Sequence, residues 1–532
     1  MTIVSALFLS GIILFSACTK SISENTVSSK EVTSPKTTQV DLTKFASVVY
    51  VTIEGDDTNG NGSKEAPYAT IKKGVAAQTI DGLTAVLVAG GEYSENNIQL
   101  ENGVSLFGGY NPTEWSRDII KYATNVSGEG KGRIIVAADN LTIDGFTFAN
   151  GKFRGPGGAI YGRSVSPTIS NNTFAKNQTL KPIPWNPKYW HETANDGGAV
   201  YFESGANPII ENNIFVGNKT ENGRGGAIAC NNNCKPVIRN NVFYKNTTGL
   251  DDPMRSSDGA AVSIFNRCDA EITGNVILSN TALARNDAGG VFVALWSSAE
   301  IKNNIFVDNE AGDDAGALFV GGQEHRYDAP LDPIPPKDKF YVSITNNTFL
   351  GNRNSSQNSG AMRFTMESRG EFINNIVAQN NGIYFQRSEV KVADNIILDN
   401  FLFIETKEGL QLGTIENNII WSEYIREVDA TVRNNNMKYP EEGNGNYSDP
   451  VTFKNDDVEI NVFSANWSKT GNKTNILTNK KFEANSLVNR VVRIGDEWNV
   501  IISNDSDSFI ILGNYSAIGK VYILPTYTLD KK

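Results

Sequence analysis

Three charged side chains recur at one point of a repeated corner. Asp196, Arg224 and Asp258 each stand directly before a Gly-Gly-Ala or Gly-Ala-Ala tripeptide. Lining up the other copies on the Gly-Gly-Ala motif adds Pro156, Ala288, Asp314 and Asn358 to the column, with Asp287 and Asp313 beside it. Stacked extended chains lie about 4.8 Å apart, so the acid–base–acid run spans about 10 Å. Two carboxylates on that scale suit an inverting glycoside hydrolase, in which the gap admits a water. Arginine among acids also suits a lyase: a cation, or bound Ca²⁺, neutralises a uronate carboxylate while a base removes the C5 proton. The catalytic candidates are therefore Asp196, Asp258 and Arg224. Against them stands a plain structural role, in which corner Asp and Asn cap backbone amides and the charges form an ion-pair ladder.

Long connections leave the chain at this same corner. The longest, 178–195, carries Trp185, Tyr189, Trp190 and His191 among prolines. Arg255 lies on a second and Arg285 on a third. Loops on a rigid scaffold concentrate binding residues, and flat aromatic faces match sugar rings. With Asp287 and Asp314 these make the substrate-binding candidates. A further loop, 321–339, holds His325, Arg326 and Tyr327. No Gly-x-Ser-x-Gly, His-Glu-x-x-His or phosphate-loop motif is present.

The elements that position these residues are short and repeated. Asn195-Asp196-Gly197-Gly198-Ala199-Val200-Tyr201-Phe202 is followed at Pro208 by Ile209-Ile210-Glu211-Asn212-Asn213-Ile214-Phe215-Val216-Gly217-Asn218, and 224–246 repeats the scheme. Each copy contains three short apolar runs separated by small or Asn-rich corners. One such unit cannot bury its inward face alone, so the copies must stack into an all-β solenoid. Asn pairs at 171–172, 212–213, 240–241, 303–304, 346–347, 374–375 and 417–418 fall at one corner and are expected to hydrogen-bond from coil to coil.

Two groups of motifs carry a resemblance. Ala66-Pro67-Tyr68-Ala69-Thr70-Ile71, Ala89-Gly90-Gly91-Glu92-Tyr93 and Phe107-Gly108-Gly109-Tyr110 resemble the opening of right-handed parallel β-helix proteins of the pectate-lyase-like superfamily. Gly-Gly-Ala-Ile/Val paired with Phe-x-x-Asn is similar to the repeat of polymorphic outer-membrane proteins, a family of surface adhesins. The resemblance implies a right-handed parallel β-helix over 46–440 and leaves activity open, because this fold hosts many functions. The metal and Arg motifs of pectate lyases, and the three-Asp pattern of polygalacturonases, find no residue-by-residue match.

Around this core, residues 1–17 form an apolar signal segment whose end, Phe15-Ser16-Ala17-Cys18, resembles a lipoprotein lipobox, implying lipidation of Cys18. Residues 18–45, rich in Ser, Thr and Lys, read as a disordered tether. An acidic Gly/Asn loop at 54–63 offers oxygen ligands for Ca²⁺, or is simply a long turn. Thr70 caps a short helix that places Ile71, Val75 and Ala76 on one face and plugs the first coil. Cys230 and Cys234 span one corner and could form a local disulfide. Residues 441–481 read as an irregular extension, and 482–532 as a small β module closing the C-terminal end, with a glycan-binding module as the other reading.

The net charge of −11 argues against a nucleic-acid partner and weakens a polyanionic substrate, unless a local basic strip overrides the global field. The sequence thus points to a monomeric, envelope-located lipoprotein that binds extracellular polysaccharide or cell-surface glycan, with a polysaccharide lyase or hydrolase as the alternative and Ca²⁺ as the conceivable cofactor.

Overall fold

The computed structural model describes residues 35–77, 82–181, 195–250, 257–322, 340–355, 359–399, 401–404, 413–421, 425–426, 431–438, 444–448, 458–468, 473–488, 490–515 and 519–524. Successive coils wind into a right-handed parallel β-helix. Three long parallel sheets of fourteen, thirteen and twelve strands run along it, with a narrow seven-stranded one beside them. In one coil the first sheet takes Thr168–Ser170, the second Thr173–Ala175, the narrow one Gln178–Thr179 and the third Val200–Glu203. The next coil repeats the order in register, Ile209 lying beside Thr168 and Ile228 beside Val200.

Three runs per coil were expected, and the narrow sheet is the fourth. Its strands are two residues long and largely polar, as in Lys219–Thr220 and Thr247–Thr248, so no apolar signal marks them.

Asparagine organises two corners. The first Asn of each pair takes a left-handed backbone, as at Asn171 (φ 55°) and Asn212 (φ 57°), which Asn tolerates better than most residues. The second turns inward. Asn213 accepts from the Asn172 backbone N–H at 2.9 Å and donates to the Ile169 carbonyl at 2.9 Å and to Asn241 Oδ1 at 3.0 Å. The Asn of Phe-x-x-Asn builds a second ladder. Asn218 accepts from the Asn177 N–H at 3.0 Å and donates to the Phe174 carbonyl at 3.0 Å and to Asn246 Oδ1 at 2.9 Å. Among the described residues that ladder ends on Asp399, which accepts from the Asn380 N–H at 3.0 Å and from its amide Nδ2 at 2.6 Å. A terminal rung needs acceptors only, and a carboxylate supplies them.

The interior is apolar and in register. Phe174, Phe215 and Phe243 stack with centroids 4.7 and 5.0 Å apart, and Phe306 stacks on Phe349 at 4.7 Å. Each such pair contributes about 0.5–1.5 kcal/mol beyond area burial.

The helix Ile71–Ala76 packs on the first strands with Thr70 as its N-cap. Its buried face is Ile71, Gly74 and Val75, whereas Ala76 is exposed, contrary to expectation. Gly74 holds that place because a Cβ there would lie 2.5 Å from Val51. The carboxylates of the 54–63 loop are turned onto amides: Asp56 accepts from Thr58 and Asn59, and Asp57 from Ala69 and Thr70.

Two boundaries differ from expectation. Residues 35–45 are ordered against the first sheet, with Val40, Leu42 and Phe45 packed on Phe107, Tyr110 and Trp115. The C-terminal module begins before 482: Val458–Ser468 and Lys473–Thr478 belong to its seven-stranded antiparallel sheet. Its described residues lie along a flank of the helix. Val500, Ile502 and Leu512 pack on Ile214, Val242, Val276 and Ile305 of the second sheet. Those strands are apolar on both faces, so a second layer has to cover them.

Candidate functional site

The Gly-Gly-Ala corner lies between the narrow sheet and the third. Backbone hydrogen bonds fix its register: the N–H groups of Gly157, Gly197, Gly225, Gly259 and Ala288 donate to the carbonyls of Asp196, Arg224, Asp258, Asp287 and Asp314 at 2.8–3.0 Å. The column is therefore Pro156, Asp196, Arg224, Asp258, Asp287 and Asp314. Asp287 stands in it where Ala288 was expected. The reason is backbone conformation: Gly197 (φ 68°) and Gly225 (φ 68°) take the left-handed turn in their coils, and Ala288 (φ 58°) and Ala315 (φ 58°) take it in theirs. An alanine there costs about 1–2 kcal/mol, so alignment on glycine shifted the Ala288 coil by one residue.

The three catalytic candidates do come together, and they are buried: Asp196 is 5% exposed, Arg224 2% and Asp258 3%. Asp196 Oδ1 accepts from the Arg224 backbone N–H at 2.7 Å. Asp258 Oδ1 accepts from the Asp287 N–H at 2.9 Å, and Asp287 Oδ1 from the Asp314 N–H at 3.0 Å. Arg224 Nε lies 3.5 Å from Asp258 Oδ2, and its guanidinium sits over Phe265 at 4.9 Å and Phe292 at 5.8 Å. Asp314 is ion-paired with Arg363, which rests on Tyr384 at 4.8 Å. Burial pushes the Asp196 carboxyl up to about 6, against the pull of Arg224. Asp287 is held well above the usual carboxylate range by burial, then by the charges of Asp258 and Asp314.

Sequence reading missed the aromatic wall beside this column. Tyr201, Phe265, Phe292 and Phe319 lie on the face of the third sheet opposite the core, yet all are buried. The signal was available in runs such as Val291-Phe292-Val293, where alternation fails.

The other candidates scatter. Arg285 is exposed on its turn. Trp185, Tyr189, Trp190, His191 and Arg255 lie outside the described residues, as do His325, Arg326, Tyr327 and Asn358. The Thr179 hydroxyl donates to the Asn195 carbonyl at 2.5 Å, so the described chain resumes against the narrow sheet directly before Asp196. Upstream along the narrow sheet, an open depression of about 420 Å³ is lined by Glu129, Gly130, Asn150, Lys152, Lys176 and Gln178.

Cys230, Cys234 and Cys268 are buried free thiols. The Cys230–Cys234 bridge considered from spacing is not formed: Cys230 is an inward strand residue, whereas the Cys234 thiol meets Cys268. Among the described residues no group of three or more His, Cys, Asp or Glu side chains is set to hold a metal ion.

No curated protein matches the sequence. Among solved structures, the chain is similar to a rhamnogalacturonan lyase at 13% identity, covering 76% of this chain and 95% of that one, with a TM-score of 0.33. It is also similar to a mutant tailspike protein of E. coli bacteriophage HK620, solved in complex with a pentasaccharide, at 10% identity, covering 86% of this chain and 89% of that one, with a TM-score of 0.31. Superposition is loose in both, and no residue role is carried over. Residues 8–325, more than half of the chain, match the family described as the right handed beta helix region. Coil order, parallel register and this match agree, and the chain belongs to the right-handed β-helix family.

Proposed function

We propose that this chain is an exported, lipid-anchored envelope protein whose β-helix binds extracellular polysaccharide or cell-surface glycan without cleaving it. One observation carries the non-catalytic half. Asp196, Arg224 and Asp258 are at most 5% exposed, each carboxylate accepts a backbone N–H of the next coil, and Arg224 lies beside Asp258. A general acid or base must reach the substrate proton directly or through one water. These groups face protein.

The binding half is supported by the aromatic and basic residues that the sequence places in the connections preceding the column and by the polar depression at Lys152 and Gln178 just upstream. Cys18 and the Ser/Thr-rich stretch after it support the anchor. One feature favours a lyase or hydrolase instead: a carboxyl held near 6, as Asp196 is, suits a general acid. Its burial outweighs that. The test is retention of the mature domain on a glycan array. Retention on a defined glycan class, weakened by Trp190→Ala, is expected. No retention on any glycan would sink the binding reading and leave a structural envelope role.

A further inference from the structure

The corner between the third and first sheets carries a column of small residues. Register places Ala206, Cys234, Cys268 and Ser297 on successive coils: the Lys235, Asp269 and Ser298 N–H groups donate to the carbonyls of Ala206, Cys234 and Cys268 at 2.8–3.0 Å. The same corner further along uses Ser368 and Ser388. Cys268 and Ser297 each accept a backbone hydrogen bond from the coil before them. The Cys234 N–H donates to Cys268 Sγ at 3.3 Å, and the Cys268 N–H to Ser297 Oγ at 3.1 Å. A serine hydroxyl fills this acceptor role well, whereas a thiol is a weak acceptor. Two cysteines on adjacent coils therefore need a reason beyond the ladder.

Geometry supplies one. Adjacent coils put equivalent Cα atoms about 4.8 Å apart, inside the 4.4–6.8 Å or so that a disulfide requires. The Cys268 sulfur already lies 3.3 Å from the Cys234 backbone nitrogen. Cys230 is placed differently. Its neighbours in register are Phe202 and Ile264, and its carbonyl accepts from Cys268 Sγ at 3.6 Å.

We propose that Cys234 and Cys268 are a cross-linking site that joins two adjacent coils when the chain folds in an oxidising compartment, with Cys230 remaining a free thiol. The step is thiol–disulfide exchange with a donor disulfide, such as oxidised glutathione or a disulfide-donating catalyst. The Cys234 thiolate attacks a donor sulfur and expels one donor thiolate. The Cys268 thiolate then attacks the Cys234 sulfur of the mixed disulfide and expels the second. One S–S bond forms in the protein, the donor disulfide becomes two thiols, and the two protons lost by the cysteines end on the donor. Both thiols are buried in the finished fold, so exchange precedes final packing.

The occurrence of this bond in the cell rests on the export reading, so the decisive test is done in vitro. The full chain is refolded from denaturant in a glutathione redox couple, alkylated, digested with trypsin without reduction and mapped by mass spectrometry. The expected product is peptide 225–239 linked to peptide 268–285, with Cys230 alkylated. The link is expected to persist in Cys230→Ser and to vanish in Cys234→Ser. An internal Cys230–Cys234 bridge, or alkylation of Cys230, Cys234 and Cys268 alike in wild-type protein with a native β spectrum, overturns the proposal. A link formed in vitro but absent from protein isolated from its host would instead count against export.

Discussion

Replacing Asp196 by Asn separates a structural carboxylate from a catalytic one. Asp196 is 5% exposed and its carboxyl is pushed up to about 6, so the folded state binds a proton more tightly than the unfolded chain does. For a group raised in this way, stability is fully present below the unfolded value near 3.8 and is lost as pH rises through about 6. The interval corresponds to about 3 kcal/mol of destabilisation at neutral pH. Asn keeps the carbonyl oxygen that accepts from the Arg224 N–H at 2.7 Å and removes the buried charge. Its Nδ2 meets the guanidinium less well, so about 3 kcal/mol is an upper bound on the gain. Urea unfolding of wild type and Asp196→Asn at about pH 8 and about pH 4 reads the difference. The variant should gain up to about 3 kcal/mol at the higher pH and nothing at the lower. A loss of stability at about pH 8, greater than at about pH 4, would mean that the charge is a net stabiliser and would refute the reasoning.

Asn218→Ala should cost at least about 3 kcal/mol, because the Asn177 N–H, the Asn177 amide and the Phe174 carbonyl each lose a buried partner at about 1–3 kcal/mol. A denaturation midpoint equivalent to less than about 1 kcal/mol of loss would contradict the ladder's energetic role. Cys18→Ser should move the protein from the membrane fraction to the soluble fraction and abolish labelling by fatty acid. Unchanged labelling would remove the anchor from the account.

The β-helix was legible because its signals are local and repeated. Phe-x-x-Asn and Asn-Asn recur along the coils and state both what is buried and where the chain turns. The narrow sheet escaped because two-residue polar strands have no periodicity. The charged column was read correctly from Asp196 to Asp258, then slipped by one residue where Ala288 takes a backbone that glycine takes elsewhere. Burial was the part least visible. Asp196 and Arg224 look like surface charges in sequence, yet both are buried, Arg224 against Phe265 and Phe292. The module on the second sheet had a readable sign that was passed over. Ile214-Phe215-Val216 and Val276-Ile277-Leu278 offer apolar side chains to both faces, which a solvent-exposed sheet would not.

The central claim is that this β-helix holds glycan without breaking it. The direct measurement incubates the mature domain with a panel of neutral and acidic polysaccharides, following ultraviolet absorbance of new unsaturated uronate and the appearance of reducing ends, beside retention on the same polymers. The account predicts retention on at least one polymer and no turnover on any. Turnover that disappears in Asp196→Asn while retention persists would contradict it and make the buried column an active site.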